Sequence, residues 1–242
     1  MVKYRLKITD ILIESEDTWT FLLEMPEDFN WEEGSHAHIG NEGYDFNAPK
    51  GTFVRHMSIM TLPEEGKIGF TTRKRGELSV FKETLFNMKV GQELLVFKPG
   101  SRMALRRENR PLVLLSMGVG IATMRPLILQ HHNNPMGIKE VYQINVDAGG
   151  NFLYQKEFES MADSSVKHTW LRGRNGLDEV LERVLSIESP IFYLVGSDAF
   201  VIQRTHWLME HGVAFQDIVV DKKEQFISRM LMMSPKDFQM IL

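Results

Sequence analysis

The chain has 242 residues, 43% hydrophobic and 25% charged, with a formal net charge of −4. This is a globular composition without the basic excess of a nucleic-acid partner. The absence of cysteine excludes disulfides, cysteine-ligated iron–sulfur clusters and thiol redox chemistry. The start, MVKYRLKITD, has no apolar signal core, and no run reaches membrane-spanning length. We therefore expect a cytoplasmic protein with no membrane span, divided into one large or two ordinary domains.

Residues 1 to about 107 read as β-structure. Tyr4–Ile8 and Thr18–Glu24 alternate in whole or in part, and Ser35–Ile39, Phe53–Met60, Lys67–Arg73 and Glu93–Phe97 are further strand candidates. Short strands at this spacing predict a small antiparallel barrel. Residues 41–51 are loop-like, and Lys98-Pro99-Gly100 reads as a turn closing a strand. Gly76–Asn87 breaks the pattern, with Leu78, Phe81, Leu85 and Phe86 at helical spacing.

Two pieces of this half could carry chemistry. Arg55, followed by His56, Met57 and Ser58 in a strand, is either a phosphate ligand or a solvated strand charge. Arg73-Lys74-Arg75-Gly76-Glu77-Leu78-Ser79 places cations, a glycine and a serine where the helix begins. That is an anion site or simply a capped helix.

From Arg110 the texture becomes alternating strands and helices. Leu112–Leu115 is a continuous apolar run, followed by Gly118, Gly120 and a helical pattern to about Gln130. Strand, glycine turn and helix in that order make a phosphate cradle, or an ordinary α/β packing unit. Strands are expected at 140–146, 166–171, 191–195 and 215–220, and helices at 154–162, 177–186 and 200–210. This order predicts a parallel sheet with ligands at the carboxyl ends of its strands, where Gly118, Asp147, Arg172 and Gly196 stand. His131 and His132 read as a polar helix end and not as a metal site. The segment Lys98–Arg110, with Arg102, Arg106 and Arg107, is a domain linker or a dock for an acidic carrier.

A barrel with one helix followed by a five-stranded nucleotide domain resembles the ferredoxin–NADP reductase superfamily. Arg55-His56-Met57-Ser58 is similar to its Arg-x-Tyr-Ser flavin motif, and residues 73–79 to its Gly-x-x-Ser segment. Residues 118–126 resemble its Gly-x-Gly-Ile-x-Pro nicotinamide segment, 193–200 its Tyr-x-Cys-Gly-Pro strand, and 221–226 its closing Glu-x-Phe. Met57, Thr123, Val195 and Ser197 depart from the family residues at their positions.

The resemblance implies an FAD-binding barrel at 1–107, an NAD(P)H-binding α/β domain at 108–226 and a C-terminal extension at 227–242. It implies an NAD(P)H-dependent flavin oxidoreductase that passes electrons to a separate acceptor: ferredoxin, flavodoxin, an oxygenase component, a ferric chelate or free flavin. Arg55, His56, Met57, Arg73, Gly76, Leu78 and Ser79 would bind FAD, with Ser58 beside the flavin N5 in a catalytic role. Gly118, Gly120, Ile121, Thr123, Gly196 and Phe226 would bind nucleotide. Asp147 would favour NADH over NADPH by repelling a 2′-phosphate, unless it merely caps a turn. A flavin- or nucleotide-binding interaction module with little turnover is the alternative. The tail, with Ile227, Met230, Leu231 and Ser234 on one helical face, is expected to pack on the flavin side or to form a dimer contact.

Overall fold

The computed structural model describes residues 2–41, 53–161 and 165–232. Its strands β1 (Lys3–Ser15), β2 (Thr18–Glu24), β3 (Ser35–Gly40), β4 (Val54–Ser58), β5 (Lys67–Arg73) and β6 (Glu93–Ser101) form an antiparallel sheet ordered β4-β3-β6-β1-β2-β5. The sheet is barrel-like. The segment after β4 is tied to β5, since Met60 N–H donates to Gly69 O at 2.8 Å and Gly69 N–H to Thr61 Oγ1 at 3.0 Å. Helix α1 (Val80–Asn87) buries Phe81, Leu85 and Phe86 in the core formed by Leu6, Phe21, Ile39, Phe70 and Val96.

Two barrel expectations need correction. β1 runs well past Ile8, because its first half pairs with β6 and its second half with β2. The second half is largely exposed, with Ile13 at 70%, so no alternation marks it in the sequence. Lys98–Gly100 is not a turn but lies inside β6. There Lys98 has φ 49° and the register against β3 slips between the His36–Gly100 and His38–Phe97 pairs. The slip inserts one extra residue into β6, a bulge that a sequence reading mistakes for a loop.

The second sheet holds β7 (Arg110–Met117), β8 (Ile138–Asp147), β9 (Val166–Arg172), β10 (Ile191–Val195) and β11 (Ile218–Val220), in the order β11-β10-β7-β8-β9. Every pairing in it is parallel. Leu112 to Leu115 are each 0% exposed, as a strand covered on both faces requires. Helices α4 (Leu177–Leu185) and α5 (Asp198–Glu210) pack on a core with Val113, Leu115, Ile144, Phe192 and Leu194. Helix α2 (Ile121–Asn133) follows β7 through a single 3-10 turn at Gly118–Gly120, and α3 (Gln155–Ser160) precedes β9. The expected strand at 215–220 is a 3-10 turn at Phe215–Asp217, with β11 only after it.

The chain divides into two compact units, Met1–Leu105 with Ala122–Gln130, and Arg106–Ile121 with His131–Leu242. Helix α6 (Glu224–Met232) belongs to the second. Met230 is 1% exposed in its core, beside Phe226 and Ile227. The described part of the tail therefore packs on the second unit, a destination the sequence did not indicate. Ser234 and the rest of 233–242 lie outside the described residues.

Candidate functional site

In the first unit, the start of α1 gathers the polar groups. Ser79 occupies the N-cap position with no side-chain cap hydrogen bond. The Arg55 guanidinium on β4 stands 5.8 Å from the centre of the Phe81 ring. Lys82, in the first turn of α1, donates from Nζ to Arg73 O at 2.6 Å. Burial, and then the neighbouring Arg55 charge, hold the Lys82 ammonium below the ordinary lysine value of 10.5. Two cations crowded at a helix N-terminus cost free energy until an anion arrives, and the helix's own unpaired N–H groups favour the same ligand. Gly76 has φ 63° and open space where a Cβ would stand. These residues fit a phosphate group.

The other barrel residues singled out in the sequence make contacts of their own. Arg73 is held by Asp17 at 3.5 Å and donates from Nε to Thr18 Oγ1 at 3.0 Å. Met57 and Leu78 pack against the barrel core. His56 is exposed and belongs to a cluster of rings, 3.8 Å from His38 and 5.5 Å from His36 between centroids. Ser58 is half-buried and accepts a hydrogen bond at 2.7 Å from Thr123, which is 2% exposed. Arg125 donates from Nη1 to Met60 O at 2.9 Å and pairs with Glu65 at 2.7 Å.

In the second unit, the glycines of the β7 turn serve packing as well as any ligand. Gly118 has φ 57°, a conformation that L side chains seldom adopt. A Cβ on Gly120 would stand 2.9 Å from Val195 O, and one on Gly196 2.7 Å from Phe200 Cδ1. Ile121 is fully buried. Beneath the turn, Asn145 is 1% exposed and donates to Ser116 Oγ at 2.9 Å. A polar residue within the apolar β8 run is the signal that could have revealed it. Lys82 likewise carried a signal, a cation three residues past the Ser79 cap.

Asp147 ends β8, is 3% exposed, and accepts the Gly149 N–H at 2.8 Å on Oδ1. Opposite it in register is Arg172, whose side chain lies 3.5 Å from where a Gly150 Cβ would stand. Arg174 donates to Gln203 Oε1 at 3.1 Å. Phe226 packs on the second core, with the Lys222 ammonium 5.3 Å from its ring centre. His131 and His132 do lie in the last turn of α2, but His131 is fully buried there, with Nε2 2.8 Å from Ser165 Oγ.

Three of the linker arginines donate hydrogen bonds to backbone carbonyls of their own unit. Arg106 donates to Gln216 O at 2.6 Å, Arg107 to Asn134 O at 2.8 Å, and Arg110 to Ser189 O at 2.7 Å. The Arg106 N–H donates to the Tyr193 hydroxyl at 2.8 Å.

No family model matches the sequence. A curated relative, the flavohemoprotein of Vibrio cholerae, is 25% identical over 134 residues, covering 52% of this chain and 34% of its own. The chain thus spans about a third of that relative's length. A ferredoxin NADP+ reductase from Neisseria gonorrhoeae, solved with FAD and NADP bound, superposes with a TM-score of 0.77 at 18% identity, over 90% of this chain and 98% of that one. The fold is that of the ferredoxin–NADP reductases. The cytochrome b5 reductase domain of Ulva prolifera nitrate reductase agrees with a TM-score of 0.72 at 16% identity, over 90% of this chain and 97% of its own. In this reductase fold an antiparallel barrel-like sheet with one helix is followed by a parallel five-stranded sheet, as found here. No helix among the described residues is long and apolar enough to cross a membrane.

Proposed function

We propose that the protein is an FAD-dependent NAD(P)H oxidoreductase that hands electrons to a separate acceptor. The observation that carries this reading is the pairing of Arg55 and Lys82 at the start of α1, a site for a flavin pyrophosphate. A bound flavin supplies hydride acceptance at N5 and one-electron release; the chain binds and orients it. Arg55 and Lys82 neutralise phosphate, the N–H groups around Gly76, Leu78 and Ser79 receive it, and Ser58 stands at the motif position for N5. In the second unit the turn at Gly118 and Gly120, ahead of Ile121, receives nicotinamide pyrophosphate, near Gly196. Solved neighbours named as a ferredoxin reductase in carbazole 1,9a-dioxygenase and as a cytochrome P450 reductase support a separate acceptor protein.

The test is spectroscopic. Purified protein reconstituted with FAD is expected to be yellow and to bleach anaerobically on addition of NADH or NADPH. A protein that takes up no flavin sinks the reading. One that binds flavin but never bleaches is instead a flavin-binding module with little turnover.

The nicotinamide choice follows from charge at the strand ends. Asp147 opposes a 2′-phosphate, with Arg172 and Arg174 set against it, and NADH is favoured. Unit charges 4 Å apart interact by about 4 kcal/mol at an effective dielectric near 20; a quarter of that gives about fivefold discrimination. Asp147→Ala is expected to move the kcat/KM ratio toward NADPH by that factor, and an unchanged ratio rejects the role.

A further inference from the structure

Thr123 stands where the resemblance would place a proline, and its side chain makes a contact that proline cannot make. We infer that Thr123 is a positioning residue that sets the hydrogen-bond direction of Ser58. This rests on the flavin reading above. Thr123 Oγ1 donates to Ser58 Oγ at 2.7 Å, and both residues belong to the first unit. Thr123 is 2% exposed and lies in the first turn of α2, where a threonine hydroxyl ordinarily turns back onto its own helix or toward water.

The consequence follows from counting protons. A serine hydroxyl has one hydrogen and two lone pairs. Once one lone pair accepts from Thr123, Ser58 cannot donate to Thr123 in return, and its hydrogen must point elsewhere. A hydroxyl that accepts a hydrogen bond is also a stronger donor. The pair therefore presents Ser58 as a donor. Oxidised flavin N5 is an acceptor, whereas reduced N5 carries a hydrogen and needs an acceptor. Thr123 thus favours the oxidised form through Ser58 and primes N5 to receive hydride. Its side chain touches no cofactor in this role. With a proline at the position, Ser58 could rotate freely and serve either form.

The experiment uses the full chain loaded with FAD and measures the flavin midpoint potential and visible absorption bands, with flavin content as a control. Thr123→Val keeps the shape and removes the donor. It is expected to shift the reduction equilibrium about fivefold toward the reduced form, about 20 mV for a two-electron couple, and to move the absorption bands while flavin content holds. Thr123→Ser should restore the wild-type values. Ser58→Ala and the Ser58→Ala/Thr123→Val double variant should match each other, because Thr123 acts only through Ser58. If Thr123→Val folds poorly, Thr123→Ala carries the same expectation. An unchanged potential in the donor-free variants overturns the inference while leaving the flavin reading intact. So does an equal shift whether or not Ser58 is present. A wild-type chain that takes up no FAD overturns the flavin reading itself, and this inference with it.

Discussion

Arg55 and Lys82 are each marked in the sequence by a charge at a structured position; the structure adds that the two charges are neighbours. A charge-assisted hydrogen bond is worth roughly 1.5–3 kcal/mol, so Arg55→Ala should weaken FAD binding about 10- to 100-fold. Wild-type affinity in a folded Arg55→Ala protein, measured by titration, would exclude the role. Lys82 adds a pH dependence. Its lowered pKa means that it loses its proton below the usual 10.5, and FAD affinity should fall as alkaline pH passes that point. Lys82→Arg, which stays charged, should keep FAD to higher pH. Stability of the flavin-free protein has the opposite sign. The folded-state pKa is depressed, so the cost of charged Lys82 is present at low pH and disappears as pH rises from the folded value toward 10.5. Urea melts of the flavin-free protein across pH 8 to 10.5 should show this trend, and Lys82→Arg should remove it.

At the scale of elements, the turn between β7 and α2 lies against β10, and α6 closes the second core. A Cβ on Gly120 would stand 2.9 Å from a backbone oxygen, which no side-chain motion relieves. Gly120→Ala should therefore cost about 1–3 kcal/mol, seen as a lower urea midpoint and weaker NADH binding together. An alanine variant with wild-type stability would show that the contact yields. Met230 is 1% exposed, and a buried methionine cut to alanine loses about 2–5 kcal/mol. Met230→Ala should lose stability of that order; a loss below about 1 kcal/mol would mean that α6 is not part of the cooperative core.

For the whole molecule, the division of the chain is not a simple cut. Ala122–Gln130 belongs to the first unit although it follows the first strand of the second sheet. Met124, Leu127 and Ile128 in this stretch are each fully buried, and Arg125 holds Glu65 and Met60 O. A fragment of residues 1–107 lacks this helix. We expect it to bind a hydrophobic dye and to hold FAD at least tenfold more weakly than the full chain. A fragment matching the full chain on both counts would show that the helix is dispensable to the barrel.

The sequence alone determined the order of elements, because burial leaves a period. Alternation marks the start of β1 and part of β2, a continuous apolar run marks β7, and helical spacing marks α1. It also exposed the glycine turn and Arg55, since backbone constraint and charge are local properties. It did not determine which side chains meet. The bulge at Lys98 reads as a turn, and the linker arginines read only as charges, until their partners in space are known. Those partners lie at separations such as the 110 residues between Arg106 and Gln216. The same holds for Thr123 and Ser58, 65 residues apart. A hydrogen bond depends on distance and angle, and neither is written in the periodicity of one segment. Only the tertiary structure turns a list of candidate groups into a pair that can direct a proton.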